Sequence, residues 1–87
     1  MDTATIQRQL RIKTGSVTRN MKDYVWYFKE KSDIETLIHQ LGEQEGQERA
    51  LRRHNARLQE TLPLIPDAVE RTQAALLDLE GLIALHL

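Results

Sequence analysis

Apolar side chains recur at alternating steps of three and four along almost the whole chain, and that period leaves α-helix as the only regular structure available to it. In the first half the stripe runs Ile6, Leu10, Thr14, Val17, Met21, Tyr24 with Val25, and Phe28; the same phase continues through the charged Lys31 and Glu35 to Ile38. Thr3 is the expected N-cap. The segment LGEQEGQE, residues 41–48, holds the only close pair of glycines, Gly42 and Gly46, with no hydrophobic residue between them, and reads as a turn between helices. The stripe then resumes at Leu51, His54, Leu58, Leu62, Ile65, Val69, Thr72, Leu76, Leu79 and Ile83.

Pro63 and Pro66, in LPLIPD, interrupt this second stripe without changing its phase. A proline in a helix interior removes a hydrogen bond and clashes with the carbonyl four residues back, at about 3 kcal/mol or more, so the pair must bend the helix or end it. Length separates the two outcomes. At about 1.5 Å per residue, residues 4–41 span roughly 57 Å and residues 47–87 as one bent helix roughly 61 Å, so the two match. A reversal at Pro66 would leave the first twenty or so residues of the first helix with no neighbour for their stripe. The expected fold is therefore all-α, an elongated antiparallel hairpin of two long helices with the second kinked at Pro63–Pro66. A three-helix bundle with a corner at Pro66 is the alternative.

A turn centred near Gln44 sets Val17 opposite Arg71 and Thr72, Phe28 opposite Glu60, and Gly15 opposite Gln73 to Ala75. Gly15 then either lets the backbones approach closely at Ala74 and Ala75 or is a tolerated surface glycine. A further apolar edge on the second helix, Leu64, Ala68, Ala75, Leu79 and Leu82, is expected to need a cover from a third helix, a second copy or a client.

With 87 residues the chain makes one domain, 1–87. Aromatic residues are only 5% against 29% charged, a mixture that suits long amphipathic helices better than a sheet core. There is no cysteine, which excludes disulfides, thiolate chemistry and Cys-based zinc sites. No apolar run is long enough to cross a bilayer and Met1 to Leu10 lacks a signal-type block, so no membrane association and a cytoplasmic location are expected. His39, His54 and His86 are too scattered to form a metal site, GSVTRNMK has no second glycine to cradle a phosphate, and no serine has a histidine placed to activate it. Neither enzyme activity, cofactor nor metal is expected.

Charge is unevenly distributed. Residues 1–31 hold seven Lys/Arg against three Asp/Glu, and residues 32–87 hold five against ten. Arg8, Arg11, Gly15, Arg19, Lys22, Trp26 and Lys29 fall at steps of three and four, which collects them on one side of the first helix, away from much of the apolar stripe. Tryptophan among cations suits a protein-binding surface. The plainer account is a solvated face with Trp26 lying under the stems of Lys22 and Lys29. Nucleic acid is disfavoured by a pI near 6.3.

RIKTGSVTR, then VWYFKE, EQEG, LQE at 58–60, IPD at 65–67 and AALLDL at 74–79 make an ordered set over roughly residues 8–83 that resembles the tubulin-binding cofactor A family. The resemblance implies an elongated helical bundle in the cytosol, associated with the tubulin and microtubule cytoskeleton. It also implies a chaperone that captures β-tubulin after the cytosolic chaperonin and feeds αβ-heterodimer assembly without nucleotide or metal. The family proline that matches Pro66 bends the second helix. Two departures stand out. The family continues with a third, acidic helix where this sequence stops, so a homodimer through Leu64, Leu79, Leu82 and Leu85, or a truncated chain, is expected. Pro63 replaces an ordinary apolar residue and should sharpen the bend. Resemblance and charge pattern together nominate Lys13, Arg19, Lys22, Trp26, Lys29 and Glu30, with Glu60, Asp67 and Arg71 near the kink, for contact with β-tubulin. The alternatives are a generic coiled-coil interaction module and, more remotely, an RNA-binding hairpin.

Overall fold

The computed structural model describes residues 2–86; Met1 and Leu87, the ends of the expected 1–87 domain, lie outside the described residues. Three helices follow one another: α1 Thr3–Gly42, α2 Glu48–Thr61 and α3 Leu64–His86. The molecule is a rod of 66 × 16 × 14 Å, about as long as 40 helical residues at 1.5 Å each and about as wide as a single helix pair. Helices α2 and α3 lie end to end along α1, so they form the two halves of one bent arm. The chain does not turn back at Pro66, and the three-helix alternative falls with that reversal.

Asp2, rather than the expected Thr3, caps α1. Its backbone is extended and its Oδ1 accepts a 2.7 Å hydrogen bond from the Thr5 amide, satisfying one of the free N–H groups of the first turn. At the far end the Glu43 amide donates to Gln40 and the Gln44 amide to Leu41 (3.1 Å), which tightens the last turn. Gly46 then takes φ +78°, the left-handed conformation that a side chain resists, and the chain enters α2 with the Leu51 amide bonded to Gln47.

The bend sits at Leu62 and Pro63, at the start of the expected kink. Leu62 keeps helical angles (φ −53°, ψ −46°), and its amide still donates to Leu58. Its own carbonyl accepts from Ile65 at 3.4 Å, a three-residue step in place of four. Pro66 falls in the first turn of α3, where an N–H would have had no helical partner, so one break accommodates both prolines.

The two arms meet along a narrower strip than the sequence stripe. On α1 the half-buried or buried positions include, at heptad spacing, Ile6, Leu10, Lys13, Val17, Asn20, Tyr24, Tyr27, Lys31, Ile34, Ile38 and Leu41. On the bent arm they include Leu51, His54, Leu58, Thr61, Ile65, Ala68, Thr72, Ala75, Leu79 and Leu82. In each heptad one place lies a residue earlier than expected. Thr14, Met21, Phe28 and Glu35 are exposed, with Lys13, Asn20, Tyr27 and Ile34 in their stead. Thr61, Ala68, Ala75 and Leu82 likewise enter the contact on the bent arm, where Leu76 and Ile83 are exposed while Leu62 and Val69 stay half-buried at its edge. A single partner helix covers about two positions in seven, whereas the apolar stripe spans three, so one column must stay outside.

Residue size decides which column that is. Ala68 is 0% exposed and Thr61 6%, so small residues at the contact let the helices come close. Polar members of the seam are satisfied locally. Lys13 lays its stem in the contact and pairs its ammonium with Asp78, Asn20 donates to the Ser16 carbonyl at 2.9 Å, and Thr72 donates to the Ala68 carbonyl at 2.8 Å. Two sequence expectations change accordingly. Ala68, Ala75, Leu79 and Leu82 form the contact with α1 instead of an uncovered edge, which removes Leu79 and Leu82 from the expected dimer surface. A Cβ on Gly15 would meet only Arg19 Nη1, at 3.3 Å, and nothing from α3, so close approach to Ala74 and Ala75 is not its role.

Two outcomes follow. Ala68→Leu should cost about 1–3 kcal/mol in urea unfolding, because three added carbons have no space to enter. The hydrogen bonds that Asp2 accepts from the Thr5 backbone amide and hydroxyl hold its carboxyl below the ordinary value of 3.8. Its stabilising charge is therefore fully present above that value and is lost as pH falls through the lowered one. An NMR titration of Asp2 should find its midpoint below 3.8, moving with loss of protection at the Thr5 amide.

Candidate partner-binding surface

The seam divides the rod into two flanks and an outer edge on each helix. In an antiparallel pair, residues just before the seam on one helix share a flank with those just before it on the other, and residues just after share the opposite flank. Arg57 and Glu30 mark the first flank, with their ion pair bridging α2 to α1 at 3.4 Å.

Six of the nominated residues fall on this bridge flank. Glu30 is on it directly, and Arg19 and Trp26 stand beside it on α1. Glu60, exposed and one turn beyond Arg57, carries it along α2; Asp67 and Arg71, paired at 3.6 Å within α3, extend it past the bend. Lys22 and Lys29 occupy the adjoining outer edge of α1. Lys13 does not join them, since its side chain is 22% exposed and engaged with Asp78 across the seam.

Trp26 is 64% exposed and stands between two shallow depressions. One lies on α1 alone, lined by Thr18, Met21, Lys22, Val25, Trp26 and Lys29. The other runs between α1 and α2, lined by Trp26, Lys29, Glu30, Asp33, Ile34, Leu37 and Arg57. A large aromatic surface is thus held in water with an apolar wall on one side and an ion pair on the other. The stems of Lys22 and Lys29 border it without covering it.

The cations along this side of α1 are mostly uncommitted. Among the described residues, Arg8, Arg11, Arg19 and Lys22 make no ion pair, and Lys29 reaches Asp33 only at 3.8 Å with both side chains about 70% exposed. Such a pair contributes little and dissociates easily. Gly15 has a place in this arrangement, because the absence of a side chain lets the Arg19 guanidinium lie back over the helix.

Sequence reasoning missed the exposed apolar residues of the other flank. Met21, Val25 and Phe28, read as core, are 52%, 61% and 51% exposed. The signal was present in the run of small residues Thr61, Ala68 and Ala75 at heptad spacing, which marks where two backbones approach. Arg57 was also missed; its position opposite Glu30 follows only from the register of the hairpin.

No helix among the described residues is long and apolar enough to cross a membrane, and no group of three metal-ligating side chains comes together among them. No solved structure matches the chain. Residues 5–86 match the family model described as Tubulin binding cofactor A. The chain is 37% identical over 76 residues to the tubulin-specific chaperone A of mouse (Mus musculus) and of human (Homo sapiens) and 34% identical to that of chicken (Gallus gallus). Each alignment covers 87% of this chain and 70% of the relative. By the extent of that match the chain belongs to the tubulin binding cofactor A family.

Proposed function

We propose that this protein is a non-enzymatic tubulin-folding cofactor of the cytosol that captures β-tubulin released from the cytosolic chaperonin and holds it for αβ-heterodimer assembly. The observation that carries the reading to particular residues is the exposed Trp26 among unpaired Arg19 and Lys22. Tryptophan and arginine are the side chains that most often dominate affinity when a partner desolvates them. Family membership supports tubulin as that partner.

The proposed mechanism has two parts. Arg19, Lys22 and Lys29 attract an acidic client over roughly a Debye length, about 8–10 Å at physiological salt, which raises the rate of encounter. Trp26 and the apolar wall of Met21 and Val25 then bury area and slow release. Glu30, Glu60, Asp67 and Arg71 would fix orientation along the rod, where like charges reject a misplaced client. Lys13 acts indirectly, by holding α3 against α1 through Asp78.

The direct test incubates the pure protein with chaperonin-released β-tubulin and resolves the mixture on a native gel. A one-to-one complex is expected; its absence removes the reading. Arg19→Glu with Lys22→Glu should reduce capture about ten-fold and flatten its salt dependence, as expected for two reversed rim charges, with helical circular dichroism unchanged. Trp26 should be readily quenched by acrylamide in the free protein and protected in the complex. Quenching that stays the same on binding would place the client elsewhere.

A further inference from the structure

The first turns of α2 carry the densest positive charge in the molecule. Residues 49–53 read RALRR, so three of the eight arginines fall within five consecutive positions, and all three are exposed. At about 100° per residue, Arg49, Arg52 and Arg53 lie within an arc of about 100° on the side of α2 turned away from Leu51, His54 and Leu58 in the seam. They make no ion pair among the described residues, although Glu48 stands one turn before Arg52. Of the carboxylates about level with the patch, Asp33 lies against Lys29, Glu35 against Lys31 and Glu43, in the turn, against His39.

The kind of cation narrows what the patch can do. All four lysines lie on α1, whereas the Lys/Arg positions of α2 are all arginine. A solvated face needs charge alone, which lysine supplies; a planar guanidinium adds paired N–H groups that match the two oxygens of a carboxylate. We propose that this patch binds an acidic segment of a partner protein in extended conformation, a run of about four consecutive Asp or Glu residues. None of the three arginines belongs to the surface proposed for tubulin, and the inference rests on none of that reading.

Spacing and polarity select the extended form. Arg49 and Arg53 are separated by about 6 Å along the axis. In an extended chain the side chains on one face recur every two residues, about 6.6 Å, so alternate carboxylates of such a segment come level with these two arginines. Arg52, about 100° round the helix from Arg53, borders the same segment on its other edge. A partner helix has little to hold it there, because Ala56 is the only apolar side chain on this face. Nucleic acid fits less well, since α2 has no Trp, Tyr or Phe on which a base could stack. Glu43, Glu45 and Glu48 on one side and Glu60 on the other confine the positive stretch, and an acidic run that overran it would meet like charge.

Fluorescence anisotropy of a labelled peptide with a short run of glutamates between Gly-Ser flanks tests this on the intact protein. The peptide should bind at low salt and weaken about ten-fold or more between about 0.01 M and 0.15 M salt, as the screening length falls from about 30 Å to about 8 Å. The matching glutamine peptide should not bind. Arg49→Gln, Arg52→Gln and Arg53→Gln should each weaken binding about three-fold and together about 30-fold, with helical circular dichroism unchanged because glutamine is a good helix former. Lysine at all three positions keeps the charge and should still weaken binding about five-fold, through loss of the paired N–H groups. Arg8→Gln with Arg11→Gln, at the far end of α1, should leave it unchanged. The proposal is overturned if the glutamate peptide fails to bind at protein concentrations on the order of 1 mM in low salt, or if the glutamine peptide binds as well. It is equally overturned if the triple glutamine or triple lysine variant matches wild type, if the Arg8 and Arg11 changes weaken binding as much, or if a uridine oligonucleotide of the same charge binds more tightly.

Discussion

Everything in this molecule depends on a mismatch of widths. Each arm carries apolar residues on three columns of its heptad, and one neighbouring helix can cover two. The column left outside is chosen by backbone approach. Ala68, fully buried, and Thr61, nearly so, allow α2 and α3 to lie close against α1, while the bulkier Leu62, Val69, Leu76 and Ile83 are turned to the side. Dispersion and burial reward the closest fit available, even when it leaves larger side chains partly in water. The result is a thin rod with an apolar flank, a charged flank carrying Trp26, and few residues fully enclosed.

The prolines serve the same geometry. Without them the second arm would be a straight helix of about the length of α1; with them it is broken at Leu62 and Pro63 and continues in nearly the same direction. The two inter-arm ion pairs bracket the bend. From Lys13 to Glu30 is 17 residues along α1, and from Arg57 to Asp78 is 21 along the bent arm. The bend and the reach of the long Lys and Arg side chains absorb this difference of about one turn. Pro63 and Pro66 thus lie between the two ion pairs, in the stretch where the register changes.

Much of this was legible in the sequence. Helix period, the turn at Gly42–Gly46, the hairpin length and the continuation through the prolines follow from spacing and from chain geometry, which are local properties. The phase of the seam within a broad stripe is not local. Met21 and Tyr27 are equally acceptable as core by hydrophobicity, and only the small residues on the opposite arm discriminate between the columns. Lys13 was misleading for the same reason, since a lysine among apolar residues reads as surface until Asp78 is known to reach it. Of the candidate surface, Arg19, Lys22, Trp26 and Lys29 could be grouped from one helix alone. Glu60, Asp67 and Arg71 join Glu30 only through the register.

The phase of the seam is most directly tested by single cysteines placed one at a time at positions 20–28 and labelled with a thiol reagent. Slow labelling at positions 20, 24 and 27, with fast labelling at 21, 25 and 28, is the predicted pattern. Protection at 21 and 28 with fast labelling at 20 and 27 would put the other column in the contact and contradict the account.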